Sequence, residues 1–222
     1  MSITIHWGSG SPFAWATLLA LEVKELDYDS RLLQLSQGEH KTPEFLALNP
    51  RGKVPVLVDG DKVISESLAI LVWLDSQYPG PSLFGHGPDE RTAIMQALSE
   101  LISYVETPLI TIARSVFFQP WGEASQGTIT ETVAAVEPEL RRLDALLGGQ
   151  DWLAGDSLSA ADLRAYPLLQ LLWRATLLAD RKGGLEAMHR LDRAGFPGLD
   201  RWCARVEALP GYERTYPPHW RG

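Results

Sequence analysis

Two serine hydroxyls stand where a short strand pattern changes into a helical one. Ser9 and Ser11 flank Gly10, and Pro12 follows at a position that suits the first residue of a helix. One interpretation of Ser11 is structural, because a serine before a helix caps it by accepting a bond from a backbone N–H. The other is chemical, because a helix N-terminus stabilises a bound anion, including a thiolate. Ser9 competes for that role, and the spacing leaves both interpretations open.

A valine–proline pair marks a second place where chemistry is possible. Val54-Pro55 opens an apolar run, and proline in a sheet is confined to strand starts and edges. A trans bond is the common case, because only about 5–6% of X–Pro bonds in folded proteins are cis. A cis bond would turn the backbone N–H and C=O of Val54 outward, where an extended peptide could pair with them. The spacing does not decide between the two.

Two further polar segments have both a structural and a functional interpretation, and a third has only a structural one. Glu66-Ser67 precedes a helical pattern, where both side chains can cap the helix or hold the ammonium and carboxylate of a ligand. His40 and Lys41 lie in a polar loop, where solvated side chains are the simpler interpretation. Ser159-Ala160-Ala161-Asp162 is a capping box and predicts only a helix start.

The elements that must position these residues begin with an α/β pattern. The segments predict a strand, helix, strand, short helix, hairpin and helix, at Ile3–Trp7, Phe13–Lys24, Tyr28–Leu35, Thr42–Leu48, around Asp59-Gly60, and at Ser67–Gln77. A strand–helix–strand start predicts a parallel pair, and the hairpin adds antiparallel strands, so the sheet should be mixed.

Prolines and glycines crowd residues 79–89, which indicates a linker between two domains at 1–78 and 90–222. The second domain is predicted to be all-α. Its helices are expected at Glu90–Phe118 with an interruption at Pro108, Gly127–Leu147, Ala160–Ala179, Leu185–Leu191 and Pro197–Ala208. The segment Tyr216–Trp220 is predicted to be extended.

Composition excludes several classes of protein. The 222 residues carry a net charge of −8, with 45% hydrophobic and 22% charged residues, a profile typical of folded globular proteins. An acidic chain without a basic stretch is a poor binder of nucleic acid. Cys203 is the only cysteine and the histidines are scattered, so neither a disulfide nor a metal site is expected. We see no apolar run of about 20 residues and no export signal, which predicts a cytoplasmic protein that does not bind membranes.

Taken together, these segments resemble the cytosolic glutathione S-transferase family over the whole chain. The motifs are residues 38–57 (Gly-Glu-His-Lys-Thr-Pro through Arg-Gly-Lys-Val-Pro-Val-Leu), Ser65-Glu66-Ser67-Leu68-Ala69-Ile70, and Gly155–Asp162. The likeness is to a serine class with phi-, zeta- and omega-like features. It implies a thioredoxin-like domain (βαβαββα) followed by an all-helical domain, in a homodimer that uses glutathione and no metal.

The resemblance also assigns roles to residues. Ser11 would hold the glutathione thiolate by a hydrogen bond, because its place sixteen residues before Asp27 matches the serine of phi- and zeta-like enzymes. Ser11-Pro12-Phe13-Ala14 also resembles the omega-type Cys-Pro-Phe-Ala, with serine in place of cysteine. The Val54 backbone, beside a cis Pro55, would pair with the cysteinyl part of glutathione. The remaining contacts would come from Glu66 and Ser67 at the γ-glutamyl end and from His40, Lys41 and Lys53 at the glycine carboxylate.

Two features of the sequence concern the activation of the glutathione thiol and the binding of the electrophilic second substrate. Phi- and zeta-like relatives carry an arginine shortly after the serine, whereas this chain has Ala14-Trp15-Ala16-Thr17. The family places a hydrophobic electrophile between its domains. Candidate lining residues are Trp7, Phe13, Tyr104, Arg114, Phe117, Phe118 and Trp121, with Trp220 as a further candidate. Core packing is the alternative for the aromatic residues, and a solvated helix face is the alternative for Arg114.

The leading hypothesis is a glutathione S-transferase whose serine-bound thiolate attacks small hydrophobic electrophiles in detoxification. One alternative is a glutathione-dependent isomerase or reductive dehalogenase of the zeta-like kind. Another is a binding or assembly module on the same fold without turnover. Consumption of glutathione would separate the first two, and retention on immobilised glutathione would separate both from the third.

Overall fold

The first strand alternates buried and half-buried residues, as its sequence predicts. In the computed structural model, which describes residues 3–221, β1 (Ile3–Trp7) buries Ile3, Ile5 and Trp7. Helix α1 (Pro12–Val23) follows and is buried over most of its surface. Strand β2 (Tyr28–Leu32) then lies parallel to β1.

The rest of this unit completes the predicted order of elements. The chain continues through 3-10 turns at Leu35–Gln37 and Glu39–Lys41, then α2 (Pro43–Leu48), β3 (Val56–Asp59), β4 (Lys62–Ser65) and α3 (Ser67–Gln77). The predicted α/β pattern is therefore confirmed. One strand is shorter than expected: β2 ends at Leu32 because the next residues form a 3-10 turn, closed by the Gly38 N–H donating to the Leu35 carbonyl.

The four strands form a mixed sheet in the order β2-β1-β3-β4. The β1–β2 pair is parallel, and the other two pairs are antiparallel. The registers Trp7↔Leu32, His6↔Val56 and Val56↔Ser65 place the ends of β1, β2 and β4 beside the start of β3. We call this the top edge of the sheet.

The chain from His86 to Val206 forms a second unit, and all its regular elements are helical within the described residues. They are α4 (Pro88–Glu100), a π-helical segment (Leu101–Glu106), α5 (Thr107–Phe118), α6 (Glu123–Gly149), α7 (Ala160–Arg181), α8 (Glu186–His189) and α9 (Pro197–Glu207), with a 3-10 turn at Arg193–Gly195. The interruption predicted at Pro108 takes the form of the π-helical segment just before it.

The capping box at the start of α7 is confirmed as a structural feature. The backbone N–H of Ser159 donates to Asp162 Oδ2 at 3.0 Å, and the Leu153 N–H and Trp202 Nε1 each donate to Asp162 Oδ1 at 2.8 Å. Burial raises the pKa of the Asp162 carboxyl above its ordinary value, against the opposing effect of these hydrogen bonds. The carboxylate thus ties the start of α7 to the preceding loop and to α9.

One helix in the described part of the chain, Pro88–Phe118, is long and apolar enough to cross a membrane by length and composition alone. The sequence expectation that no stretch qualifies is corrected on this point, because residues 101–118 contain only Glu106 and Arg114 as charged side chains. Glu106 pairs with Arg164 of α7 at 2.7 Å, and Leu109 and Ile112 are buried. These contacts are those of a packed helix in a helical unit.

The segment that begins at Glu207 belongs to the first unit, with the residues up to Gly85. It contains α10 (Tyr212–Thr215) and a 3-10 turn at Pro218–Trp220, so the prediction of an extended Tyr216–Trp220 is wrong there. It also differs from the expectation that 90–222 forms one helical domain. The cause is the attachment to α1, where Trp15 Nε1 donates to Thr215 Oγ1 at 2.9 Å. We call residues 207–221 the C-terminal segment.

Candidate active site

The turn between β1 and α1 places Ser11 at the N-terminus of the helix. The Ser11 N–H donates to the Gly8 carbonyl at 3.1 Å, and Gly10 has φ +79°, which a type II turn requires at this position. Ser11 Oγ accepts a bond from the Ala14 N–H at 3.3 Å and is the N-cap of α1. The structural interpretation is therefore confirmed. It does not exclude the chemical one, because an accepting hydroxyl still has its proton to donate.

The second hydroxyl of this turn, Ser9, is held by the C-terminal segment. Ser9 Oγ lies 2.5 Å from His219 Nδ1, and Trp220 Nε1 donates to His219 Nε2 at 2.9 Å. The imidazole packs closely against the turn: a Cβ added at Gly10 would lie only 2.8 Å from His219 Cε1. Both serines of the turn therefore have defined partners.

The positions after Ser11, where phi- and zeta-like relatives carry arginine, are buried and uncharged here: Ala14, Trp15, Ala16 and Thr17. Trp15 packs edge-on against the rings of Tyr216 and Trp220, at 5.6 and 5.5 Å between centroids. Trp15 is thus packed against the C-terminal segment, and positions 14–17 supply no charged side chain.

The loop after α2 carries the predicted proline to the top edge. The Val54–Pro55 peptide bond is cis, which confirms the expectation from the resemblance. Val54 lies two residues before β3 and outside its paired residues, which start at Val56. Asn49 is buried and fixes the loop: its Nδ2 donates to the Lys53 carbonyl at 2.8 Å, and its Oδ1 accepts from the Arg51 N–H at 3.1 Å.

Glu66 and Ser67 follow β4 at the same edge. Glu66 is exposed and has φ +73°, a conformation that is rare for a residue with a side chain and is often found at functional sites. It precedes α3 without a side-chain cap bond, whereas Ser67 is buried. The N-terminus of α3 therefore lies at the same edge as that of α1, and each helix terminus favours negative charge.

The cationic candidates are divided between the 3-10 turn after β2 and the loop before β3. Lys41 Nζ donates to the carbonyls of Arg51 and Gly52, at 3.4 and 3.3 Å, which links the two segments. Lys53 is exposed. His40 Nδ1 is buried and has no hydrogen-bond partner among the described residues. The register therefore brings Ser11, Val54, Glu66, Ser67 and these cations to one edge of the first unit.

The predicted electrophile residues fall in both units. In the first, Trp7 is buried and its indole N–H donates to Ser30 Oγ at 2.8 Å, and Phe13 is half-buried. In the second, Tyr104 and Phe118 are 58% and 82% exposed and Arg114 is exposed. The Phe117 and Phe118 rings are tilted by 55° with centroids 6.2 Å apart, and Lys182 lies over the Trp121 ring at 5.6 Å.

Two family models match this chain. The model described as "Glutathione S-transferase, N-terminal domain" matches residues 10–77, and that for the C-terminal domain matches residues 126–205. The chain belongs to the glutathione S-transferase family. The resemblance, the thioredoxin-like fold with its helical partner, and the assignment as a glutathione S-transferase enzyme are thereby confirmed.

Relatives and solved structures agree with this assignment. "Glutathione S-transferase 4" of Zea mays is 35% identical, covering 96% of this chain and 92% of that protein. "Maleylacetoacetate isomerase" of Pseudomonas aeruginosa is 31% identical, covering 93% and 92%. The crystal structure of a glutathione S-transferase from the Antarctic clam Laternula elliptica matches with a TM-score of 0.80 at 28% identity, covering 99% and 94%.

Glutathione S-transferases take glutathione as a substrate, generally with hydrophobic electrophiles and as dimers. Within residues 3–221, His, Cys, Asp and Glu side chains do not gather into any group of three that could hold a metal ion. Sequence reasoning missed Asn49, whose only signal was its place before Pro50-Arg51-Gly52. It also missed the contact of His219 with Ser9, which no local pattern could reveal.

Proposed function

We propose that this glutathione S-transferase ionises the glutathione thiol with the Ser11 hydroxyl and directs the thiolate at the electrophilic carbon of a hydrophobic substrate. The observation that carries the proposal is the position of Ser11. Its oxygen caps α1 through the Ala14 N–H, so its proton remains to be donated at a helix N-terminus.

The Ser11 hydroxyl and the N-terminus of α1 can supply the free energy needed to ionise the glutathione thiol at pH 7. A thiol with a pKa of about 8.5 is only about 3% ionised at pH 7, and half-ionisation requires a decrease of about 1.5 in pKa, or about 2 kcal/mol. One hydrogen bond to a charged sulfur contributes roughly 1.5–3 kcal/mol. The helix terminus adds roughly 0.3–1 kcal/mol. The two together suffice without the arginine of related enzymes.

The top edge of the sheet supports a binding mode for the rest of glutathione. Val54 would pair its backbone N–H and C=O with the cysteinyl part of the tripeptide, as an added strand does. Glu66 would pair with the γ-glutamyl ammonium, while Ser67 and the N-terminus of α3 would bind its carboxylate. His40, Lys41 and Lys53 would face the glycine carboxylate. Among the described residues, His40 Nδ1 has no hydrogen-bond partner that such a contact would have to break.

The chemical step is a displacement or an addition by sulfur. The thiol proton leaves to solvent, a sulfur–carbon bond forms, and the electron pair of the broken bond leaves with the departing group or moves onto the acceptor atom. Ser11 keeps its proton throughout and acts as a donor, not as a nucleophile. Holding both reactants makes the step effectively intramolecular.

In the helical unit, the exposed side chains of Tyr104, Arg114 and Phe118 would contact the electrophile. The aromatic side chains suit flat apolar molecules, and the Arg114 charge would orient an anionic group. We further propose a cytoplasmic homodimer. Sedimentation at micromolar concentration measures the dimer directly, and a monomeric mass would contradict it.

The test of Ser11 is an ultraviolet titration of bound glutathione against pH in the wild type, Ser11→Ala and Ser11→Thr. We expect a thiolate absorbance with a midpoint near pH 7 in the wild type. The alanine variant should raise that midpoint by about 1–2 pH units, because it loses the hydrogen bond to sulfur. The threonine variant keeps both the cap oxygen and the hydroxyl, so it should stay near the wild type.

Each other outcome has a defined meaning. Equal midpoints in all three proteins would remove Ser11 from thiolate stabilisation. Failure of every variant to bind glutathione would contradict the whole binding mode.

The maleylacetoacetate isomerase relative supports one alternative, in which glutathione is a recycled cofactor. Turnover of a substrate without loss of free glutathione would favour that alternative over conjugation.

A further inference from the structure

The C-terminal segment reaches the same turn that carries Ser11. His219 Nδ1 lies 2.5 Å from Ser9 Oγ, although 210 residues separate them along the chain. Ser9 and Ser11 are two residues apart, so their Cα atoms can be at most about 7 Å apart. Two hydroxyls at that spacing can both reach one sulfur atom bound at the N-terminus of α1.

The hydrogen bonds of His219 define where its proton lies. The indole N–H of Trp220 can only donate, and it points at His219 Nε2 at 2.9 Å. Nε2 must therefore accept, so the neutral ring carries its proton on Nδ1. Nδ1–H then donates to Ser9 Oγ, and the hydroxyl proton of Ser9 is left to donate to another acceptor.

This tautomer also excludes a different chemistry for the pair. In nucleophilic serine sites the imidazole accepts the serine proton and must present a bare nitrogen to the hydroxyl. Here the nitrogen facing Ser9 is the protonated one. Ser9 is therefore arranged as a hydrogen-bond donor to a ligand, and an oxygen that accepts one bond donates the next one more strongly.

The C-terminal segment is fixed firmly enough to hold the imidazole in place. Trp220 packs edge-on against Trp15 of α1, and Thr215 accepts the Trp15 indole N–H. Arg214 pairs with Glu22, a carboxylate whose side chain is only 2% exposed. These contacts hold the segment against α1.

We propose that His219 is a positioning residue that directs the Ser9 hydroxyl to the glutathione sulfur, so that two serines and not one hold the thiolate. The inference rests on the proposed function, because it needs a thiolate at this helix terminus. It adds a second neutral hydrogen-bond donor at a helix terminus where positions 14–17 carry no charge.

The test is the midpoint of thiolate formation in Ser9→Ala, His219→Ala and the double variant, measured by ultraviolet titration of bound glutathione. We expect each single variant to raise the midpoint by about 1 pH unit, a tenfold loss of thiolate below it. The double variant should be no worse than Ser9→Ala, because His219 acts through Ser9. His219→Asn keeps an N–H at the same position and should restore most of the effect.

Arg221→Ala is the matched control, because Arg221 follows Trp220 and contacts Tyr216 and Glu213 but not the turn. It should leave the midpoint unchanged. Additive effects in the double variant, or no rescue by asparagine, would mean that His219 only packs, and would overturn the proposal. If Ser11→Ala raises the midpoint while Ser9→Ala does not, this inference fails and the proposed function stands. If Ser9→Ala raises the midpoint while Ser11→Ala does not, Ser9 alone holds the thiolate, which would overturn both the two-serine inference and the role proposed for Ser11. Failure of the wild type to bind glutathione would contradict this inference and the proposed function together.

Discussion

The Ser11 hydroxyl has one job that the structure shows and a second that we propose. Its oxygen accepts the Ala14 N–H and starts α1, and its proton remains for a ligand. A sequence pattern can find such a residue because the change from strand to helix periodicity fixes its position. It cannot separate the two jobs, since both require the same residue type at the same place. The ultraviolet titration can do so, because it measures the ionisation of the bound thiol and not the stability of the helix.

Gly10 offers a test of how closely the C-terminal segment rests on the turn. An alanine there would need φ near +79° and would place its Cβ 2.8 Å from His219 Cε1. We expect Gly10→Ala to lower the free energy of unfolding by about 1–2 kcal/mol for the backbone, with a further loss as the imidazole is displaced. Chemical denaturation measures the stability, and tryptophan fluorescence should report the moved Trp220.

Gly38→Ala is the matched control for that prediction. Gly38 has nearly the same φ, +77°, but nothing lies within 4 Å of its Cβ position. It should show the backbone cost alone and an unchanged fluorescence spectrum. Equal losses in the two variants would mean that the imidazole moves aside freely, so that its contact with the turn is weak.

At the scale of elements, the strand order decides which loops lie next to one another. Loops following β1, β2 and β4 and the loop preceding β3 come together because the registers align their ends at the top edge. The periodicity of the sequence predicted these strands and the parallel start. It could not predict the positive φ of Glu66 or the hydrogen bonds of Asn49, since both depend on contacts made only after the sheet has formed.

His6 in β1 makes the stability of the sheet depend on pH. Burial, and then the charge of Arg31, lower the pKa of His6, against an opposing effect of Asp29. The folded protein therefore resists protonation, while the unfolded chain binds a proton below about pH 6.5. The stabilisation is complete above that pH and is lost as the pH falls below it, by at most about 1.4 kcal/mol per pH unit.

His6→Phe should remove this component, because phenylalanine can keep the edge-on contact with Phe45 but cannot titrate. Denaturation midpoints at pH 7.5 and 5.5 give the comparison. The wild type should lose more stability between the two pH values than the variant does. Parallel losses would show that His6 does not contribute to the pH dependence.

At the scale of the whole molecule, the helical unit depends on one buried carboxylate. Asp162 accepts bonds from Ser159, Leu153 and Trp202. Asp162→Ala would leave these buried donors unpaired and should cost at least about 3 kcal/mol. Asp162→Asn should cost less, because it keeps one acceptor oxygen and buries no charge.

Asp156→Ala is the control, since Asp156 is exposed in the same loop and should change stability by no more than about 0.5 kcal/mol. Thermal unfolding separates the three variants. A neutral Asp162→Ala would mean that water reaches the donors. The capping box in the sequence predicted the bonds to Ser159 but not those to Leu153 and Trp202, which lie in segments that meet only in the folded unit.

Because the segment from Glu207 returns to the first unit, the helical unit is in effect an insertion into the chain of the thioredoxin-like one. During translation, Trp15 and Glu22 leave the ribosome long before Thr215 and Arg214, their partners. The first unit must therefore wait for the whole of His86–Val206 to be synthesised before its α1 can be covered. A fragment that ends at the linker would expose that surface, so a shortened protein intended to bind glutathione alone should carry the returning segment with it.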